Sequence, residues 1–90
     1  MPERGNAVLN FRNQTIVITG GSSGLGLELA RHLAKEGARL TLIARDRDRL
    51  ERAAQELRAQ PDGATVRIES LDIRDEAAVQ ACMQRIADAD

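Results

Sequence analysis

Gly20, Gly21, Ser22, Ser23, Gly24, Leu25 and Gly26 carry the densest chemical signal in the chain. Glycines let a backbone turn tightly, take positive φ, or be approached more closely than a Cβ allows. Ser22 and Ser23 add hydroxyl donors and acceptors among them. Ahead of the loop, Ile16, Val17 and Ile18 form an unbroken β-branched run, which reads as a strand buried on both faces of a parallel sheet. Behind it, from about Gly24, Leu25, Leu29 and Leu33 recur at four-residue steps with Ala30 and Ala34 beside them. That spacing predicts an amphipathic helix with these leucines on one face and Gly37 just past its end. A helix N-terminus offers free N–H groups and the positive end of a dipole, so the stretch is suited to hold a phosphate.

Spacing restricts which phosphate ligand. Gly21 and Gly26 have the separation of a Walker loop, but Leu27 and Glu28 stand where Lys and Ser/Thr should follow. The dinucleotide pattern GxGxxG fits at Gly24 and Gly26 and fails at Leu29. What remains is TGxxxGxG, from Thr19 to Gly26. A glycine-rich loop can also be a plain turn, and its position between a buried strand and a helix favours the anion site.

TGGSSGLG after an apolar strand resembles the cofactor loop of the short-chain dehydrogenase/reductase family. The resemblance runs from about Phe11 to the end and is specific at the glycine loop, at LIARDRDRL, and at Asp72 and Ile73. It implies an α/β Rossmann-type, doubly wound parallel sheet, of which this chain holds the N-terminal β-α-β-α-β-α part. Within the family, the two loops look most like the 3-ketosphinganine reductase branch.

The remaining elements fit that frame. RLTLIA, Arg39 to Ala44, is a second apolar strand, completing one βαβ unit. Where such folds bind NAD, an acidic residue at the end of this strand takes the adenosine ribose, whereas an arginine nearby accommodates a 2′-phosphate. Here Ala44 ends the strand and Arg45 follows. The resemblance therefore implies that Arg45 contacts a 2′-phosphate, with NADP(H) preferred. NAD(H) stays open, because a strand one residue longer would let Asp46 take the ribose. Arg49 is a second phosphate candidate with a surface role as its alternative. A helix is expected from about Asp48 to Ala59, its Leu50, Ala53, Ala54 and Leu57 stripe facing the core. QPDGA reads as a turn, and Thr65 to Leu71 as an outer strand with polar residues on one side. By resemblance, Asp72 meets the adenine amino group and the Ile73 backbone its ring; alternatively Asp72 caps the next helix. Asp75 and Glu76 begin that helix, with Val79, Cys82, Met83 and Ile86 expected to face inward.

Composition bounds the rest. Ninety residues suffice for one domain, read as a lead-in over 1–12 and a partial dinucleotide-binding domain over 13–90, with Phe11 as an anchor under the first strand. The net charge of −1 gives no general pull toward nucleic acid or membrane. The N-terminal stretch has no apolar h-region, so a cytoplasmic location is the default expectation. Cys82 is the sole cysteine and reads as a small buried hydrophobe; His32 is the sole histidine and reads as a surface residue. No metal site is expected. Family members continue into an Asn-Ala-Gly motif, a catalytic Ser and a Tyr-x-x-x-Lys pair. The chain has no tyrosine, and its one lysine, Lys35, lies in the first helix.

The expectation is the NADP(H)-binding part of an oxidoreductase acting on a carbonyl or alcohol, inactive alone and without catalytic residues of its own. A non-catalytic nucleotide-binding or interaction fragment is the alternative, and a gene fragment with no stable fold a third. Strand order 3-2-1 would leave the first strand as a bare edge, which predicts self-association. A small-molecule substrate is expected only in the complete enzyme.

Overall fold

The computed structural model describes residues 12–60 and 64–89. Most of the lead-in, Phe11 with its anchoring role, and Pro61 to Gly63 of the turn lie outside the described residues. The elements alternate: β1 (Thr15–Thr19), α1 (Gly24–Lys35), β2 (Arg39–Ala44), α2 (Arg47–Arg58), β3 (Thr65–Ser70) and α3 (Glu76–Ala89). The strands form one parallel sheet in the order β1-β2-β3, with Ile18 level with Leu42 and Leu42 with Ile68. This is the expected Rossmann-type topology.

The unbroken apolar runs follow from helices lying on both faces. Leu40 and Leu42 of β2 and Ile18 of β1 pack with Ala30, Leu33 and Ala34 of α1 and with Leu50, Ala53, Ala54 and Leu57 of α2. Ile43 points the other way, into a smaller cluster with Cys82 and Ile86 of α3 and with Val17 and Leu71. Since successive strand residues face opposite sides, each core requires its own alternate set. β2, with neighbours on both edges, has four consecutive buried residues, whereas Ile16 and Val17 of edge strand β1 are only half buried. Burial pushes the Cys82 thiol pKa up, which keeps it an unreactive part of this packing.

Each helix has a chemical reason for its ends. Gly37 closes α1 at φ +85°: its N–H donates to the Ala34 carbonyl (3.1 Å) and the Ala38 N–H to that of Leu33 (3.2 Å), a Schellman motif. Asp46 caps α2 by accepting from the Arg49 backbone N–H at 3.1 Å. Asp75 caps α3 by accepting from the Ala78 N–H at 3.1 Å. Arg31 joins α1 to α2 by binding Glu56 as well as Glu28, and this bond holds the Glu56 carboxyl below the usual range. Arg85 joins α3 to β3 through Glu69 at 2.7 Å.

Two expectations about helix faces fail. Leu25 is 85% and Leu29 47% exposed, while Leu33 is buried. Each four-residue step overshoots a helical turn by about 40°, so Leu25 stands about 80° around the axis from Leu33. Among the described residues nothing beyond β1 covers that side. Met83 is 41% exposed as well, because it sits about 100° from Cys82, which does face inward.

Candidate functional site

The parallel register brings all three strands to one carboxyl edge, where the loops after Thr19, Ala44 and Ser70 meet. The Gly20 N–H donates to the Ile43 carbonyl (2.8 Å) and the Leu71 N–H to that of Ala44 (3.0 Å), so the ladders continue into these loops. Between them lies an open cleft of about 330 Å³. Thr19 and Gly20 line it from β1, Ile43, Ala44 and Arg45 from β2, and Leu71 and Ile73 from β3. Its walls are mostly apolar, with Arg45 the one charged residue lining it among the described residues, a form suited to a flat ring flanked by an anion.

The glycine loop is shaped by close approach. A Cβ on Gly26 would stand 2.2 Å from the Gly20 carbonyl oxygen and 2.8 Å from its carbon, so only glycine lets the first turn of α1 lie against the loop. Gly20 and Gly24 have φ of +72° and +59°, and a Cβ on either would meet nothing within 4 Å. The loop is therefore tight inside and open outside. Ser23 occupies the N-cap position in extended conformation, yet its side chain makes no capping bond. The first-turn N–H groups of α1 thus receive no bond from the Ser23 side chain, and free N–H groups at a helix N-terminus suit an anion.

A second cleft, of about 250 Å³, lies on the other flank of the loop. Ser22, Ser23 and Leu27 face Arg49, Arg52, Ala53 and Glu56 of α2 there. The structure thus separates two residues that the sequence placed together: Arg45 borders the apolar cleft, and Arg49 the serine-lined one. Arg52 was missed in the sequence, although its position one turn after Arg49 is a readable signal. A larger polar cavity of about 490 Å³, with Lys35 and Arg39 in its wall, lies at the opposite edge, remote from the glycine loop.

Two open alternatives close here. β2 ends at Ala44 and Asp46 caps α2, which overturns the longer strand that would have made Asp46 the ribose ligand. Asp75, not Asp72, caps α3. Asp72 instead accepts from Arg74 through the backbone N–H (2.9 Å to Oδ1) and the guanidinium (2.8 Å from Nη2 to Oδ2). The Arg45 Nε stands 4.0 Å from the same Oδ2. The Arg74 hydrogen bonds, with a smaller contribution from Arg45, hold the Asp72 carboxyl well below the usual carboxylate range. His32 is exposed beside Glu28 and distant in sequence from the loop. Among the described residues no helix is long and apolar enough to cross a membrane, and no cluster of His, Cys, Asp and Glu could hold a metal ion.

A parallel sheet flanked by helices on both faces, with a glycine loop opening a helix at its carboxyl edge, defines a Rossmann-type nucleotide-binding fold. The family model described as short chain dehydrogenase matches residues 14–89, and the chain belongs to that family. It is 39% identical over 72 residues to retinol dehydrogenase 12 of Mus musculus, covering 80% of this chain and 23% of that protein. To a 3-dehydrosphinganine reductase of Arabidopsis thaliana it is 42% identical over 69 residues, covering 77% and 21%. The chain thus spans about a quarter or less of these relatives' length. Among solved structures, a metagenomic short-chain oxidoreductase in complex with NADP superposes with a TM-score of 0.82 at 31% identity, covering 90% of this chain and 36% of that one. L-sorbose reductase from Gluconobacter frateurii, complexed with NADPH and L-sorbose, gives 0.77 at 35%, covering 87% and 30%. A family member from Burkholderia phymatum in complex with NAD gives 0.79 at 35%, covering 87% and 27%.

Proposed function

We propose that this chain is the cofactor-binding N-terminal part of an NADP(H)-dependent oxidoreductase that interconverts a carbonyl and an alcohol. The observation that carries the reading is Arg45 in the lining of the apolar cleft, directly after a strand that ends in Ala44 and offers no carboxylate to a ribose. In this reading Gly20, Gly21, Gly24, Leu25 and Gly26 cradle the pyrophosphate, with Ser22 and Ser23 adding hydroxyls. Arg45 holds the 2′-phosphate, Arg49 approaches the cofactor from the serine-lined cleft on the other flank of the loop, and Asp72 and Ile73 receive the adenine. When bound, the nicotinamide supplies or accepts a hydride; the residues of this chain bind and orient the adenosine half. NAD(H) remains the weaker cofactor, as the relatives above include both NADP- and NAD-bound proteins. The 3-ketosphinganine type of substrate is the reading we favour, from the likeness of the two loops to that branch, with a plant 3-dehydrosphinganine reductase among the relatives.

The test is calorimetric titration with NADPH and NADH of this chain and of Arg45→Ala. A charge-assisted bidentate contact is worth about 1.5–3 kcal/mol when shielded and less when wet. With the Arg45 side chain 70% exposed, the low end applies. We expect roughly a tenfold loss of NADPH affinity with NADH affinity almost unchanged. Equal affinity for the two nucleotides in the unsubstituted chain would refute the preference.

The same reading predicts self-association of the isolated chain through β1. Its outer edge pairs with no described strand, and the half-buried Ile16 and Val17 and the exposed Leu25 and Leu29 lie on or beside it. Sedimentation velocity should show a mass rising with concentration across the micromolar range. A single monomeric boundary at every concentration would count against it.

A further inference from the structure

We infer that Arg74 is a positioning residue for cofactor choice: by occupying the Asp72 carboxylate it keeps Arg45 available for a 2′-phosphate. The inference rests on the reading of Arg45 given above. Its basis is one shared oxygen. Asp72 Oδ2 lies 2.8 Å from Arg74 Nη2 and 4.0 Å from Arg45 Nε, so two guanidinium groups approach the same atom and one holds it. Arg74 also holds the carboxylate through Nε, 3.1 Å from Oδ1, and its backbone N–H, 2.9 Å from Oδ1, and a carboxylate's two oxygens keep acceptor capacity beyond these bonds. Pairing across two residues closes almost no loop, so the local partner wins over Arg45, which comes from another strand end.

Without Arg74 the balance shifts. Asp72 then has Arg45 as its nearest cation, and a closure of about 1 Å gives a direct ion pair. Arg45 is partly neutralised and drawn from the cleft, and an unshielded carboxylate stands beside the place a 2′-phosphate would take. Both effects oppose NADP(H) through its 2′-phosphate, whereas any change Asp72 makes at the adenine is common to NADP(H) and NAD(H) and cancels in their affinity ratio. Arg74 itself needs no contact with the cofactor for this.

The test measures the ratio of NADPH to NADH affinity in the unsubstituted chain, Arg74→Gln, Arg74→Lys, Asp72→Asn and the double variant Asp72→Asn/Arg74→Gln. Arg74→Gln should lower the ratio about three- to fivefold, the range an exposed ion pair supports. Arg74→Lys, which keeps the charge but loses the fork, should fall between. In the Asp72→Asn background the Arg74 substitution should leave the ratio unchanged, because no carboxylate remains to redirect. An unchanged ratio in Arg74→Gln alongside a clear NADPH preference in the parent overturns this inference and leaves the cofactor reading intact. An equal drop in both backgrounds also overturns it, since Arg74 would then act only as a general positive charge. No NADPH preference in the parent overturns the cofactor reading itself, and this inference with it.

Discussion

Gly26→Ala is expected to abolish nucleotide binding and to destabilise the chain by about 3 kcal/mol or more, at the upper end of the overpacking range. Two effects oppose each other at this position. Alanine is the better helix former by about 1 kcal/mol, so propensity alone predicts a gain. Against it, the new Cβ would lie 2.2 Å from the Gly20 carbonyl oxygen, 2.8 Å from its carbon and 3.2 Å from the Gly21 Cα. All three atoms are backbone, so no rotamer change relieves the clash and the loop must move off the helix. The steric effect wins because a backbone clash this close costs more than the roughly 1 kcal/mol that propensity returns. Gly21→Ala is the internal comparison: its Cβ would meet the Leu42 Cδ2 at 2.9 Å, the far end of a side chain, with the Leu42 Cβ at 3.3 Å and the Ile18 carbonyl oxygen at 3.4 Å, so a shift of a few tenths of an ångström relieves it. About 1 kcal/mol is expected there, with binding weakened but measurable. Urea unfolding midpoints and calorimetric titration with NADPH separate the two cases. Parent-like stability and binding in Gly26→Ala would mean that the loop does not lie against the helix as described.

Much of this was legible in the chain because local chemistry and fold agree. The strand run, the glycine loop and the Leu50, Ala53, Ala54 and Leu57 stripe each have one periodicity, and all four stripe residues are buried. Ala44 ends β2 as read, since the charged run after it cannot enter a sheet buried on both faces. What escaped depends on partners. Periodicity says that Leu25, Leu29 and Leu33 lie near one another, but not where the neighbouring element stops, and among the described residues the sheet ends at β1. Two acidic residues three apart, Asp72 and Asp75, could each cap a helix, and only the position of the first turn chose Asp75. Arg74 carried no sequence signal at all, because an exposed arginine after a strand is ordinary until its fork is seen closed on Asp72.

Leu42→Ala should leave the chain largely unfolded at physiological temperature. Leu42 is fully buried in the middle of the central strand, level with Ile18 on one side and Ile68 on the other, and lies beneath Gly21 of the loop. Leu→Ala at such a site costs about 2–5 kcal/mol, through lost transfer energy and the cavity left behind. A 90-residue domain has roughly 5–13 kcal/mol in total, and a sheet with a bare edge belongs at the low end. The substitution therefore consumes most of the margin, and a thermal melt by circular dichroism should move down by about 10 °C or more. Leu42→Met, which keeps the volume, should cost less than about 1.5 kcal/mol. Leu25→Ala removes the same atoms from a side chain that is 85% exposed and should change stability by no more than about 0.5 kcal/mol. Leu42 also supports the loop from below, so Leu42→Ala should weaken NADPH binding even at temperatures where the chain remains folded. Leu25→Ala joins this comparison from the other side: if it lowered the melt as far as Leu42→Ala, the exposed face of α1 would have to be packed against a second copy of the chain. The two leucines thus distinguish the buried core beneath the loop from the exposed face of α1.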